Sequence, residues 1–129
     1  MNQKIKISII GLGYVGLPLA IEFSKYFKVV GFDLSEKRVK ELKRGIDINK
    51  ETEKDDLTSS PNLFFSFHTD DIEDSNIYIV TVPTPVDIHN IPDLSPLKLA
   101  SESVGEFIEP GDIVIYESTV FPGATEDVL

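Results

Sequence analysis

Three glycines, Gly11, Gly13 and Gly16, stand between an alternating run and a helical one near the start of the chain. No other feature constrains the fold as tightly. Before them Ile5, Ile7 and Ile9 alternate with Lys6 and Ser8 and the run closes on Ile10, the pattern of a strand entering a covered sheet. After them Leu17, Ala20, Ile21 and Ser24 fall at helical spacing, small or apolar on one face. A second apolar run, Val29 to Phe32, follows and ends on Asp33. The order is strand, glycine turn, helix, strand, acid.

That order suits one class of ligand. An anion reaches the N-terminus of a helix only where no side chain obstructs it, and glycines remove the obstruction. Gly11 is expected to permit the tight turn, Gly13 the close approach of backbone to a diphosphate, and Gly16 the close packing of helix on strand. Backbone N–H groups near Tyr14 and Val15 would face that diphosphate, aided by roughly half a positive charge from the helix dipole. Pro18 lies within about the first turn, where a missing N–H costs little. Asp33, at the tip of the second strand, is placed to accept hydrogen bonds from both hydroxyls of an adenine ribose and would repel a 2′-phosphate. NAD is therefore expected over NADP, with the nearby cations Lys37 and Arg38 as the opposing signal. The motif is weak alone, but strand, helix, second strand and terminal acid together supply the context it requires.

The remaining chain repeats the alternation. Ser35 is expected to cap a helix from Ser35 to Arg44, with Val39 and Leu42 inward and Gly45 ending it. The stretch from Asp47 to Asn62, polar and rich in both charges, is read as a solvated surface excursion. Leu63 to Phe67 predicts a short strand, Asp70 with Glu73 a capping-box start to a brief helix, and Ile77 to Val82 a buried strand stopped at Pro83. Thr84 to Pro96 is expected to form a loop on the carboxyl rim of the sheet, where ligands of open parallel sheets sit. A helix capped by Ser95, with Pro96 first and Leu97, Ala100, Val104 and Ile108 inward, leads to a turn at Pro110 and Gly111. A fifth strand, Asp112 to Glu117, and a second rim loop, Ser118 to Gly123, complete the order. Tyr26, Phe27, Phe64, Phe65 and Phe67 are expected in the core.

Strands alternating with helices select an α/β fold, a Rossmann-like doubly wound parallel sheet of order 3-2-1-4-5. With 129 residues, 41% of them apolar, the chain builds one core, so a single NAD-binding domain over residues 1–129 is expected. Five strands where such folds have six suggest a sheet truncated before its sixth strand and a domain cut from a longer protein. The open edge at Ile113, Val114 and Ile115, or the final helix, would then favour weak self-association. A net charge of −10 argues against nucleic-acid or anionic-membrane partners. The chain has no cysteine, and His68 and His89 lack partners at metal-ligand spacing, so no metal site is expected. No signal-peptide pattern opens the chain, and a cytoplasmic protein is expected.

Four segments carry a resemblance: GLGYVGLPLA at Gly11 to Ala20, DLSEKRVKEL at Asp33 to Leu42, TVPTPVD at Thr81 to Asp87, and YESTVFPGATE at Tyr116 to Glu126. Together they resemble the nucleotide-sugar 6-dehydrogenases typified by UDP-glucose dehydrogenase, over nearly the whole chain. PTPVD and IPDLSPL look most like the branch acting on UDP-N-acetylhexosamines such as UDP-N-acetylglucosamine. The resemblance implies a homo-oligomeric parent that uses two NAD molecules in turn to oxidise the C6 alcohol of a UDP-sugar substrate to a carboxylate, through a thioester on a cysteine. That cysteine is not in this chain, which alone is expected to be inactive. It also implies site residues: Gly11, Gly13, Tyr14, Val15 and Gly16 at the diphosphate, Asp33 and Arg38 around the adenine ribose, Thr84 and Ser118 near the nicotinamide, and Thr119 in catalysis. Two alternatives stand beside it. One is the cofactor half of a 3-hydroxyacyl or 6-phosphogluconate type dehydrogenase, against which TVPTP and ESTVFPG speak; the other is a non-catalytic dinucleotide sensor.

Overall fold

A computed structural model describes residues 5–45, 61–83 and 87–117. Strands β1 (Lys6–Ile10), β2 (Lys28–Phe32), β3 (Leu63–Ser66), β4 (Ile77–Val80) and β5 (Ile113–Tyr116) form one parallel sheet in the order β3-β2-β1-β4-β5. The helices are α1 (Gly16–Ser24), α2 (Glu36–Lys43) and α3 (Ser95–Gly105), with a 3-10 turn at Thr69–Ile72. This is the doubly wound order expected from the alternation.

The period of two explains which helix covers which face. Ile7, Ile9, Val29 and Ile79 bury against Leu17 and Ala20 of α1 and Val39 and Leu42 of α2. Ile10, Val30, Phe32, Tyr78 and Val80 bury with Ile72, Ala100 and Val104 on the opposite side. Ser8 is also fully buried, and its hydroxyl shares a hydrogen bond with that of Ser75, which satisfies both groups away from water. No described helix is long and apolar enough to cross a membrane.

Several local expectations give way to specific contacts. Asp70 does not cap a helix: the 3-10 turn follows His68 without a side-chain cap, and the neighbouring Asp71 carboxylate accepts from Ser66 Oγ instead. Ser95 is the first residue of α3 and not its cap. Leu94 takes the cap position, while the Asp93 carboxylate accepts from the Ser95 N–H at 2.9 Å. Ile108 lies past the end of α3 and is exposed; Phe107 packs on the core in its place. Strand β4 ends at Val80, because β1, its neighbour, ends at Ile10. Of the aromatic residues expected inside, Phe65 is buried and Phe27 and Phe67 are partly so. Tyr26 and Phe64 are exposed, Phe64 on edge strand β3 with the Lys43 ammonium 5.2 Å from its ring centre.

Candidate functional site

The carboxyl ends of β1, β2 and β4 converge on a cleft of about 450 Å³, lined by Gly11, Leu12, Gly13, Asp33, Arg38 and Pro96 among others. Its floor is the glycine turn. Gly11 has φ +105°, a conformation side-chain-bearing residues rarely adopt, and a Cβ there would also press on Val82. At Gly16 a Cβ would overlap the Gly11 carbonyl oxygen and Thr81 Oγ1 outright, so the start of α1 seats against the turn only without a side chain. Gly13 is different, with nothing within 4 Å of its would-be Cβ. Its bareness serves the open cleft and not the packing.

Helix α1 begins without a side-chain cap and without an acidic residue in its first turn. Among the described residues, the N–H groups of Gly13, Tyr14 and Val15 have no hydrogen-bond partner. Orphan donors at the positive end of a helix dipole, beside an open cleft, are chemically suited to receive an anion. Helix α2 shows the contrast. Ser35 caps it by accepting from the Arg38 N–H at 3.2 Å, which leaves its terminus occupied by its own chain.

Asp33 follows β2 directly and is fixed at both oxygens. Oδ2 accepts from the Leu12 N–H and Oδ1 from the Ser35 N–H, each at 2.9 Å. A carboxylate oxygen has lone pairs beyond the one so used, so the anchored group, which lines the cleft, keeps the capacity to accept further hydrogen bonds. Arg38 reaches across from α2, its Nε and Nη2 donating to the Leu12 carbonyl at 2.9 and 2.7 Å. The two residues expected around a ribose are observed to grip the backbone of the turn.

Thr84, Ser118 and Thr119 lie outside the described residues, as does most of the Asp47 to Asn62 excursion. The structure adds two features that sequence reading passed over. Thr81, expected in a buried strand run and at the start of the TVPTPVD segment but given no site role, sits under the glycine turn with its hydroxyl 2.7 Å from the Gly11 carbonyl oxygen. Asp93 and Ser95 stand on the cleft wall, where the Ser95 hydroxyl and N–H hold the Asp93 carboxyl below the usual carboxylate range. His68 and His89 are exposed, and among the described residues no group of three or more potential ligands could hold a metal ion.

The NAD binding domain model of the UDP-glucose/GDP-mannose dehydrogenase family matches residues 5–129. The UDP-N-acetyl-D-glucosamine 6-dehydrogenase of Pseudomonas aeruginosa is 54% identical over 125 residues, which cover 97% of this chain and 30% of that protein. A UDP-N-acetyl-D-mannosamine dehydrogenase of Pyrococcus horikoshii is 38% identical over 127 residues, covering 95% of this chain and 30% of that protein. The solved UDP-D-ManNAc dehydrogenase from Pyrococcus horikoshii superposes with a TM-score of 0.80 at 35% identity, over 95% of this chain and 30% of that one. The chain thus spans about 30% of the length of these relatives.

Proposed function

The chain belongs to the UDP-glucose/GDP-mannose dehydrogenase family as its NAD-binding domain, and from that premise we propose that it is the cofactor half of a UDP-N-acetylhexosamine 6-dehydrogenase. The whole enzyme would oxidise the sugar C6 alcohol to a uronate, using two NAD molecules in turn. The relatives named above, a UDP-N-acetyl-D-glucosamine 6-dehydrogenase and a UDP-N-acetyl-D-mannosamine dehydrogenase, support this substrate class. A cytoplasmic, homo-oligomeric parent belongs to the same proposal.

The observation that carries the reading is the pairing of an uncapped helix terminus with an anchored carboxylate across one cleft. These residues fit the cofactor. The Gly13, Tyr14 and Val15 N–H groups would bind the diphosphate, and the bare Cα of Gly13 would let it approach. Asp33 would hold the adenine ribose hydroxyls, its orientation set by Leu12 and Ser35, and Arg38 would border the same ribose. When bound, NAD supplies the hydride acceptor. Thr84 and Ser118 would lie on the nicotinamide side, and Thr119 would orient the reacting hydroxyl or water. The resemblance carries those three residues. Without a cysteine, the 129-residue chain is expected to bind NAD without turning over a UDP-sugar.

Calorimetric titration of NAD and NADP into the chain and into Asp33→Ala tests the cofactor reading. Each carboxylate hydrogen bond contributes about 1.5–3 kcal/mol, so NAD affinity should fall at least about tenfold in the variant. NADP should bind weakly to both. Equal affinity for NAD and NADP in the unaltered chain, or an unchanged NAD affinity in Asp33→Ala, would refute it. A panel of UDP-sugars offered to the longer parent enzyme tests the substrate class; a preference for UDP-glucose would overturn the N-acetylhexosamine assignment.

A further inference from the structure

We propose that Thr81 is a positioning residue for the dinucleotide site, the group that locks the glycine turn with its N–H groups facing the cleft. The inference rests on the NAD reading above and assigns a role to a residue that contributes nothing to the cleft lining. Thr81 lies just past β4, is buried, and donates its backbone N–H to the Ile10 carbonyl at 2.8 Å. Its hydroxyl lies 2.7 Å from the Gly11 carbonyl oxygen and 3.2 Å from that of Ile10. One hydroxyl donates one proton, and Ile10 already has the Thr81 N–H, so the shorter contact to Gly11 is the hydrogen bond. Among the described residues the Gly11 carbonyl accepts from no other group.

The consequence runs through one peptide unit. The carbonyl of the Gly11–Leu12 peptide is held by Thr81, and the N–H of the same peptide is held by Asp33 Oδ2 at 2.9 Å. The next carbonyl, that of Leu12, is held by Arg38. Two successive carbonyl oxygens are thereby held by protein donors while the following N–H groups stay open. At Gly11, φ +105° marks a residue without the steric restraint that would otherwise hold its peptide. Thr81 supplies that restraint from outside. A turn free to rotate would present carbonyl oxygens to the diphosphate, and like partial charges would repel.

The test compares Thr81→Val, which replaces the hydroxyl by a methyl group, with Thr81→Ser, which keeps the hydroxyl. A matched Thr81→Ala control lacks the same methyl as the serine variant and differs from it only in the hydroxyl. Three measurements are made on each: circular dichroism for the fold, calorimetric titration of NAD, and amide hydrogen exchange at Gly11, Leu12 and Leu17 with Val29 of β2 as internal reference. NAD affinity should fall at least tenfold in the valine and alanine variants and stay within about threefold in the serine variant. Exchange at Gly11, Leu12 and Leu17 should quicken relative to Val29 in the first two and not in the third. If the valine variant fails to fold, the serine and alanine pair decides. Equal NAD affinity in those two, with the unaltered chain binding, would overturn the role of Thr81 while the NAD reading stands. Failure of the unaltered chain to bind NAD would instead refute the NAD reading and this role with it, whatever the exchange rates.

Discussion

Gly13→Ala and Gly16→Ala place the same methyl group on the same turn, three residues apart, and should do opposite things. At Gly16 the added Cβ overlaps the Gly11 carbonyl oxygen and Thr81 Oγ1 and lies 2.9 Å from the Gly11 carbonyl carbon. Two of those atoms are backbone, and the third is the hydroxyl that holds them. Overpacking of this kind costs about 1–3 kcal/mol, and displacing the Thr81 hydroxyl adds about 1 kcal/mol for the lost hydrogen bond. The helix propensity of alanine returns about 1 kcal/mol at most. A net destabilisation of about 2 kcal/mol is expected. At Gly13 no atom lies within 4 Å and φ is outside the left-handed region, so alanine should leave stability unchanged or raise it by about 0.4–1 kcal/mol through the unfolded chain. Its methyl group, however, would stand in the cleft at the proposed diphosphate site.

Urea denaturation followed by circular dichroism and calorimetric NAD titration separate the two effects. Gly13→Ala should be as stable as the unaltered chain and bind NAD at least about tenfold more weakly, a loss of about 1.4 kcal/mol or more. Gly16→Ala should shift the denaturation midpoint whether or not NAD is present. If Gly13→Ala proves as destabilised as Gly16→Ala, or if its NAD affinity stays within about twofold of the unaltered chain, the assignment of Gly13 to the ligand is wrong.

Two further outcomes follow from other parts of the fold. Tyr78 is fully buried, donates its hydroxyl to the Ile72 carbonyl at 3.1 Å, and is pushed up to about 12 by burial and then by the negative charges of Asp112 and Glu109. Because the folded value lies above the ordinary one near 10, the neutral phenol stabilises the fold fully below about pH 10 and that contribution is lost as pH rises through about 12. The stability gap between the unaltered chain and Tyr78→Phe should therefore narrow from pH 9 to pH 12 in urea titrations; a constant gap would refute it. At the sheet edge β5 pairs with β4 alone among the described strands, and Ile113, Ile115 and Tyr116 are 53%, 39% and 52% exposed. Weak, concentration-dependent self-association should appear in sedimentation velocity and disappear in Ile113→Lys/Ile115→Lys, whereas a strict monomer at all concentrations would show that this edge does not pair.

What the sequence made legible was whatever depends on period and on punctuation. The apolar run closing on Ile10, the small helical face of α1 and the Ser35 cap are local signals, and each appears in the structure, although β1 starts at Lys6 and leaves Ile5 exposed before it. Strand order followed because alternating strands and helices leave few ways to cover both faces of a sheet. Capping at Asp70 and Ser95 was misread because several nearby residues could serve equally well by spacing. Neither helix start takes a side-chain cap: Ser66 Oγ engages Asp71, and the Asp93 carboxylate takes the Ser95 N–H. The aromatic residues divide for a similar reason: Phe64 and Phe65 are adjacent on β3, so the pleat must turn one of them outward. Thr81 was invisible as a site residue because its partner Gly11 is 70 positions away and meets it only once β4 lies beside β1.

The same long-range geometry bears on cofactor choice. From sequence, Asp33 looks like a charge that repels a 2′-phosphate and Arg38 like a cation that could attract one. In the fold neither acts as an isolated charge. Asp33 anchors the Leu12 N–H while Arg38 anchors the Leu12 carbonyl, so both sides of one residue in the turn depend on this pair. Neutralising Asp33 removes the repulsion but also releases the Leu12 N–H, and drawing Arg38 toward a 2′-phosphate would release the Leu12 carbonyl. Each gain for NADP at the ribose therefore carries a loss at the diphosphate. Weak NADP binding by Asp33→Ala is what such coupling requires, because the carboxylate proposed to read the ribose also holds the turn.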